Sequence, residues 1–334
     1  MRKIIFKKKS YTCLENETVL ETLLRHEISV SYSCGIGVCQ SCLLKTSSSD
    51  IPENSQIGLN KTLILKNYFL PCVCEPKRDF KIIESKEHEI FIDSVVIEKH
   101  WLSKKICQFI LEKPDNLQFH PGQFINIRNK NLLTRSYSIA SAPKLDTIEL
   151  HVKHLQNGQM SNWMCSDLEP GDSIEIQGAN GESFYDVKTT TQNILLIGTG
   201  TGLAPLLGIV RDAVANNHLG DIHLYHGSRY CDGLYLIKNM QQLAKKHQNI
   251  HYYPCISSSN SLLNNVKKIP NCIHERADEY ALENHNSLKN WKVYLCGHPE
   301  MVKKLKSKAY LAGASLNDIH IDPYELKNLR TESR

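Results

Sequence analysis

A chain of 334 residues, 41% of them hydrophobic and 22% charged, has the composition of an ordinary globular protein with two or three domains and a sizeable core. Its net charge of +5 is too small to argue for a nucleic-acid partner. The longest apolar stretch, Ile194 to Val210, is interrupted by four glycines and a proline, which excludes it as a membrane span.

The first residues, Met1-Arg2-Lys3-Ile4-Ile5-Phe6, run into three lysines and not into the apolar segment of a signal peptide. The twelve cysteines are therefore expected as free thiols or ligands in a reducing cytoplasm. Lys3–Lys9 and Tyr11–Leu14 predict a hairpin, with Lys7-Lys8-Lys9 at a solvated strand end or turn. Thr18-x-x-Glu21 is a capping box opening a short helix, with Val19, Leu20, Leu23 and Leu24 on one face.

The loop Ser33-Cys34-Gly35-Ile36-Gly37-Val38-Cys39-Gln40-Ser41-Cys42 follows. Its cysteines are separated by four and two residues, and a fourth thiol comes from Pro71-Cys72-Val73-Cys74-Glu75-Pro76, as Cys72 or Cys74. This C-x4-C-x2-C…C spacing is that of plant-type [2Fe–2S] ligation. An anionic cluster is costly to bury unless donors converge on its sulfurs. Gly35, Gly37 and Ser41 let a loop wrap closely and aim backbone N–H groups inward. A structural zinc site usually shows paired C-x2-C knuckles, which the four-residue gap fits poorly. A set of merely buried cysteines would not produce this spacing between glycines.

Residues 1–86 resemble a plant-type ferredoxin of β-grasp fold. The resemblance selects Cys72, since twenty-nine residues lie between Cys42 and Cys72 and Pro76 then stands four residues on. Cys34, Cys39, Cys42 and Cys72 are thus the expected cluster ligands. Residues 1–85 carry twelve Lys/Arg against nine Asp/Glu, whereas soluble plant-type ferredoxins are strongly acidic, so the partner-docking surface is not expected to copy theirs.

The charged stretch Glu84-Ser85-Lys86-Glu87-His88-Glu89 marks a linker. From 87 to 188, short alternating runs (Ile90–Glu98, Ile106–Glu112, Gln123–Arg128, Ser136–Ala140, Thr147–Lys153, Ser173–Gly178) predict an antiparallel β-barrel or sandwich. From 189 to 334 the rhythm becomes strand–helix–strand. Asn193–Gly198 is a continuous apolar strand, Leu203, Leu206, Leu207, Val210 and Val214 follow at helical spacing, and Asp221–Tyr225 and Trp291–Leu295 are further strands. This predicts a doubly wound parallel sheet.

Arg135-Ser136-Tyr137-Ser138, Gly198-Thr199-Gly200-Thr201-Gly202-Leu203-Ala204-Pro205 and Cys296-Gly297-His298-Pro299-Glu300-Met301 together resemble the ferredoxin–NADP reductase-like flavoproteins. The resemblance implies FAD. Arg135 would hold a flavin phosphate, with Ser136 beside it, Tyr137 would pack on the isoalloxazine ring, and Ser138 would hydrogen-bond near flavin N5. Val152-Lys153…Gly158-Gln159-Met160-Ser161 resembles the second flavin-phosphate element, with Met160 and Ser161 at a helix start. Pro121-Gly122-Gln123 reads as a plain turn into a strand.

Gly198, Gly200, Thr201 and Gly202 would let the backbone approach a nicotinamide dinucleotide at a helix N-terminus, and Pro205 falls in the first helical turn, where its missing N–H costs little. By the same resemblance, Cys296 and Gly297 lie beside nicotinamide C4, and Tyr324 of Ile321-Asp322-Pro323-Tyr324 covers the flavin. Ser228 and Arg229 of Gly227-Ser228-Arg229 could grip a 2′-phosphate, and the nearest acidic residue is Asp232. Related ferredoxin-fused reductases mostly use NADH, so NADH is expected and NADPH is the alternative.

The order ferredoxin, flavin barrel, nicotinamide domain resembles the reductase components of bacterial multicomponent oxygenases and the CDP-6-deoxy-glucoseen reductase-like enzymes of dideoxysugar biosynthesis. Nicotinamide gives two electrons as hydride, an iron–sulfur cluster takes one at a time, and flavin does both. The resemblance implies electron flow from NAD(P)H through FAD and the cluster to a protein acceptor, an oxygenase or a dehydrase, with Ser138 and Cys296 at the hydride step. A flavin or ferric reductase is the alternative, but it needs no fused ferredoxin. A non-catalytic binding protein on this scaffold would be expected to lack Tyr137, Ser138 or Cys296, and all three are present.

Overall fold

The structure, a computed structural model, describes residues 2–83, 90–142, 145–258 and 269–324. The predicted linker Glu84–Glu89 lies outside the described residues. Strands β1 (Arg2–Phe6) and β2 (Lys9–Cys13) form the predicted antiparallel hairpin. Its two turn residues, Lys7 and Lys8, have φ of 50° and 62°, the left-handed pair a tight two-residue hairpin needs. Helix α1 (Val19–Arg25) begins at the predicted capping box. The Thr18 hydroxyl accepts from the Glu21 amide at 3.2 Å, and the Glu21 carboxylate accepts from the Thr18 amide at 3.0 Å. Such a cap is worth about 1 kcal/mol.

The buried face of α1 is Val19, Leu20, Thr22 and Leu23, while Leu24 is exposed. Thr22 can be buried because its hydroxyl donates to the Thr18 carbonyl and the Glu17 carboxylate. Strands β3 (Leu44–Thr46), β4 (Tyr68–Phe69) and β5 (Phe80–Ile83), with helix α2 (Lys61–Leu65) between the first two, complete a five-stranded mixed sheet in the order β2-β1-β5-β3-β4. Strand β5 is parallel to β1 and antiparallel to β3. Val19 and Leu23 pack on Ile4, Phe6, Phe69 and Phe80, which makes this the helix-on-sheet core of a ferredoxin fold.

The middle of the chain is antiparallel. Strands β6 (Ile92–Ser103), β7 (Ile106–Glu112) and, later, β10 (Thr147–Lys153) lie in the order β10-β7-β6. Strand β6 outruns its predicted end at Glu98, because register shifts at Val96/Glu98 and Trp101/Ser103 break the alternation that marks a strand in sequence. Strands β8 (Phe124–Arg128), β9 (Thr134–Ser138) and β11 (Ser173–Asn180) follow the order β11-β8-β9. A short helix α3 (Gln159–Asn162) continues into a π-helical turn at 163–167.

The last region alternates strictly: β12 (Ile194–Thr199), α4 (Leu203–Ala215), β13 (Ile222–Ser228), α5 (Ile237–Lys246), β14 (Ile250–Ile256), α6 (Ala277–Glu283), β15 (Lys292–Gly297), α7 (Pro299–Leu311) and β16 (Ile319–Pro323). The sheet is parallel throughout, in the order β14-β13-β12-β15-β16. Ile194 and Leu196 pack with Leu203, Leu206, Leu207 and Val210 of α4, whereas Leu195 and Ile197 pack with Ala281, Met301, Val302 and Leu305 of α6 and α7. One strand thus buries alternate side chains on both faces, which is why it reads as a continuous apolar run. After β14 the chain returns to the other side of β12, so the carboxyl ends of β12 and β15 form the topological switch point, the usual ligand crevice of such a sheet.

Packing groups the chain into two compact units. One holds 1–94, 125–137 and 173–180, and the other holds 95–124, 138–172 and 181–334. Strands β8, β9 and β11 therefore belong with the ferredoxin region, and β7 and β10 with the parallel sheet. Among the described residues no helix is long and apolar enough to cross a membrane.

Candidate functional site

The cysteine loop turns on Gly35 and Gly37, whose φ of 69° and 83° are left-handed. Its amides point at sulfur. The Cys34 amide donates to Cys39 Sγ at 3.2 Å, and the Ile36 and Cys39 amides donate to Cys34 Sγ at 3.5 and 3.3 Å. Ser41 Oγ lies 3.1 Å from Cys39 Sγ. The thiols group two by two: Cys34 is hydrogen-bonded to Cys39, and Cys42 Sγ is 3.4 Å from Cys72 Sγ.

Two thiol pairs suit a two-iron cluster in which each iron takes two cysteines, and the converging amides are the donors an anionic cluster requires. The donor set therefore fits [2Fe–2S]. The hydrogen bond from Cys34 lowers the Cys39 thiol to about 6, toward the thiolate that ligates. Cys74 lies apart from this set. It is fully buried among Ile4, Val19, Phe69 and Phe80, and burial pushes its thiol up to about 12.

On β9, the half-buried Arg135 donates from Nη1 to the Thr134 carbonyl at 2.7 Å, the Ser136 hydroxyl donates to Asn126 Oδ1 at 2.7 Å, and Tyr137 is half-buried. Ser138, which ends the strand, is buried. Its hydroxyl donates to Asp322 Oδ2 at 2.9 Å and lies 3.4 Å from the Tyr324 hydroxyl. Tyr324 in turn donates from its hydroxyl to the Thr201 carbonyl at 3.0 Å and from its amide to the Gly297 carbonyl at 2.7 Å. Asp322 is paired in register with Cys296, a fully buried residue whose thiol is pushed up by burial. The structure thus brings Ser138, Thr201, Cys296, Gly297 and Tyr324 to one place, the switch point of the parallel sheet. Asp322 joins them and was missed as a site residue. Its only sequence signal was its place in the Ile321-Asp322-Pro323-Tyr324 segment.

The predicted dinucleotide loop is built from close backbone contact. A Cβ on Gly202 would stand 2.6 Å from the Cys296 carbonyl oxygen, and one on Gly198 would stand 2.7 Å from Leu206. Gly297, at φ +120°, leaves 2.3 Å between a Cβ and Thr199 Oγ1. Gly200, at φ +55°, faces open space, a cradle into which a phosphate can come without meeting a side chain. Pro205 is buried in the first turn of α4.

The other predicted residues fall elsewhere. Val152 is buried and Lys153 exposed at the end of β10. Gly158 caps α3, where the Ser161 hydroxyl accepts from the Leu155 amide at 3.1 Å and donates to the Gly158 carbonyl at 3.2 Å; Met160 is buried beside it. Ser228 ends β13 and its hydroxyl accepts from the Tyr230 amide at 3.3 Å. The Arg229 guanidinium lies 5.4 Å from the Tyr230 ring centre. Asp232 is engaged by Lys105 at 2.8 Å.

Three families match the chain: residues 4–77 the 2Fe-2S iron-sulfur cluster binding domain, residues 93–185 the oxidoreductase FAD-binding domain, and residues 196–307 the oxidoreductase NAD-binding domain. The chain is 27% identical over 322 residues to the phenol hydroxylase P5 protein of Acinetobacter pittii, covering 93% of this chain and 90% of that one. It is 27% identical over 328 residues to the CDP-6-deoxy-L-threo-D-glycero-4-hexulose-3-dehydrase reductase of Yersinia pestis, covering 94% and 95%. Among solved structures, a cytochrome P450 reductase from Amycolatopsis superposes with a TM-score of 0.66 at 24% identity, over 97% of this chain and 98% of that one.

Proposed function

The chain belongs to the ferredoxin-fused FAD- and NAD-binding oxidoreductases, and on that premise we propose that it reduces an oxygenase or deoxysugar-dehydrase component with electrons from NADH. It is a flavin and iron–sulfur NAD(P)H oxidoreductase that passes electrons to a partner protein. The observation that supports the acceptor reading is the two-by-two pairing of Cys34 with Cys39 and Cys42 with Cys72. A reductase that released reduced flavin would have no use for that centre.

FAD, when bound, accepts two electrons as hydride and releases them singly, which suits it to stand between nicotinamide and iron. The residues divide the work. Arg135 grips a flavin phosphate, the Ser136 backbone runs beside it, and Tyr137 lends its ring face. Val152, Lys153, Gly158, Met160 and Ser161 contribute backbone at the second phosphate. Gly198, Gly200, Thr201, Gly202 and Pro205 form the dinucleotide cradle, with Ser228 and Arg229 toward its ribose. Cys296 and Gly297 would set the nicotinamide edge, Tyr324 would cover the flavin, and Ser138, backed by Asp322, would hydrogen-bond near the reacting nitrogen. Domain boundaries at 86/87 and 188/189 and a cytoplasmic location complete the reading.

An anaerobic absorption spectrum before and after NADH tests it. Flavin and [2Fe–2S] bands should both be present and bleach together, and an added oxygenase or dehydrase component should then be reduced. A colourless protein made with ample iron and riboflavin, or zinc among the N-terminal thiols, overturns it. A strong preference for NADPH in kcat/KM overturns the NADH assignment alone.

A further inference from the structure

Strand β8 reads Phe124-Ile125-Asn126-Ile127-Arg128, and every one of these residues is buried. An amide in the middle of such a strand is costly unless its polar atoms are all bonded. Asn126, fully buried, is bonded on both sides. Its Oδ1 accepts from the Ser136 hydroxyl at 2.7 Å, and its Nδ2 donates to the Cys39 carbonyl at 2.7 Å and to Gln177 Oε1 at 3.0 Å. Gln177 on β11, also buried, donates from Nε2 to the Gln40 carbonyl at 3.1 Å. Ser31 Oγ and Thr134 Oγ1 add a third link at 2.5 Å between the ferredoxin region and β9.

The loop's chemistry explains why it needs these partners. Its amides are turned toward the sulfurs, which leaves the carbonyls of Cys39 and Gln40 facing away, and a buried carbonyl needs a donor. Leu43 supplies one to Gln40 at 3.3 Å, while the Cys39 carbonyl takes its side-chain donor from Asn126. We propose that Asn126, steadied by Gln177, is the positioning residue that fixes the ligand loop at Cys39 against the flavin-binding strand at Ser136, and that Ser136–Asn126–Cys39 is the hydrogen-bonded route for electron transfer between flavin and cluster. With both groups bound, electrons would pass one at a time, the flavin side losing one as a ferric iron became ferrous. No bond or proton changes hands at Asn126.

The inference rests on the proposed function, and the test separates the two. Wild type and the near-isosteric Asn126→Asp and Gln177→Glu variants are mixed anaerobically with NADH in a stopped-flow spectrometer, and the EPR signal of each dithionite-reduced cluster is recorded. Asn126→Asp keeps the acceptor for Ser136 and replaces the donor to Cys39 with a second acceptor. Its flavin should bleach at the wild-type rate, while the later cluster phase slows several-fold. Its EPR signal should persist with shifted g-values, and Gln177→Glu should show the same pattern more weakly. Unchanged cluster phases and EPR signals in both variants overturn the proposal. So does equal slowing of the flavin and cluster phases, which would mark Asn126 as a general fold residue. If neither variant folds, Asn126→Ser with full-rate cluster reduction overturns it, and a selectively slowed phase upholds it. A wild type with no cluster phase at all would sink the functional reading instead.

Discussion

The hydroxyl of Ser138 donates to the carboxylate of Asp322 at 2.9 Å, joining residues 184 apart in sequence. Burial raises the Asp322 carboxyl from its ordinary 3.8 to about 6, against the pull of that hydrogen bond. A carboxyl whose folded value is raised holds its proton more tightly folded than unfolded. Its contribution to stability is therefore present below pH 4 and lost as pH rises through 6. Asp322→Asn removes this penalty, so at pH 8 it should be more stable than wild type by up to about 3 kcal/mol, and near pH 4 the two should converge. Thermal melts at both pH values decide it. An offset that is the same at both would refute the buried-carboxyl account.

In the proposed reaction Ser138 has a chemical task as well as a structural one. Ser138→Ala should leave the fold intact and slow flavin bleaching by NADH by about 10²-fold, the usual effect of losing one aligned donor at a reacting atom. Rapid-mixing spectra measure this directly, and a wild-type rate would remove Ser138 from the site.

Cys296 has no exposed surface, and burial holds its thiol above the ordinary range. In the proposed reaction it is therefore a neutral, polarisable neighbour and not a nucleophile. The rate of flavin reduction should accordingly show no thiol ionisation between about pH 6 and 9, and iodoacetamide should leave the native enzyme active. Cys296→Ala should slow the hydride step by roughly ten-fold or more through a lost contact at the nicotinamide edge. A rate that rises with a thiol-like ionisation would contradict this.

Much of this arrangement was legible in sequence wherever the signal was local. Thr18 and Glu21 announced their helix, and the bounds of Ile106–Glu112 and Thr147–Lys153 were read directly from alternation. The thiol spacing and the strand–glycine–helix run at 194–215 were equally plain. Strand Ile250–Ile256 was hidden by Pro254, which argues against a central strand. It is an edge strand, where a proline is tolerated. Strand Ile319–Pro323 sits at the opposite edge and is shorter, five residues against seven. Asp322 and Asn126 were invisible as site residues because their partners, Ser138 and Cys39, are 184 and 87 residues away. No periodicity records such a pairing.

The dinucleotide loop offers a paired test of two glycines that serve different ends. Gly202→Ala would place a Cβ 2.6 Å from the Cys296 carbonyl oxygen, a backbone atom that can yield only by moving the end of β15. Overpacking of this kind costs about 1–3 kcal/mol, and the nicotinamide edge moves with it, so NADH should bleach the flavin much more slowly. Gly200→Ala meets nothing within 4 Å but must hold φ at +55°, a strain of about 1–2 kcal/mol per residue. Its melting temperature should fall and its KM for NADH rise, because the methyl enters the phosphate cradle, while the hydride rate with saturating NADH stays within a few-fold of wild type. Equal kinetic damage from both substitutions would argue against the close-contact reading of Gly202.

The two thiols of the Pro71–Pro76 segment should behave as opposites. Cys72 Sγ stands 3.4 Å from Cys42 Sγ, whereas Cys74 is packed among the apolar side chains under α1 with its thiol held neutral by burial. Cys72→Ser should abolish the full-strength [2Fe–2S] absorption while leaving NADH-dependent flavin bleaching intact, since none of the residues proposed for that step is a cluster ligand. Cys74→Ser should keep the whole spectrum and lose about 1–3 kcal/mol of stability, the cost of burying a more polar hydroxyl where a thiol sat. If Cys74→Ser were the variant that lost the cluster, the ligand set would have to be redrawn and the local chain reversed. The amide donors at Ile36 and Cys39 would then have to serve a differently placed sulfur.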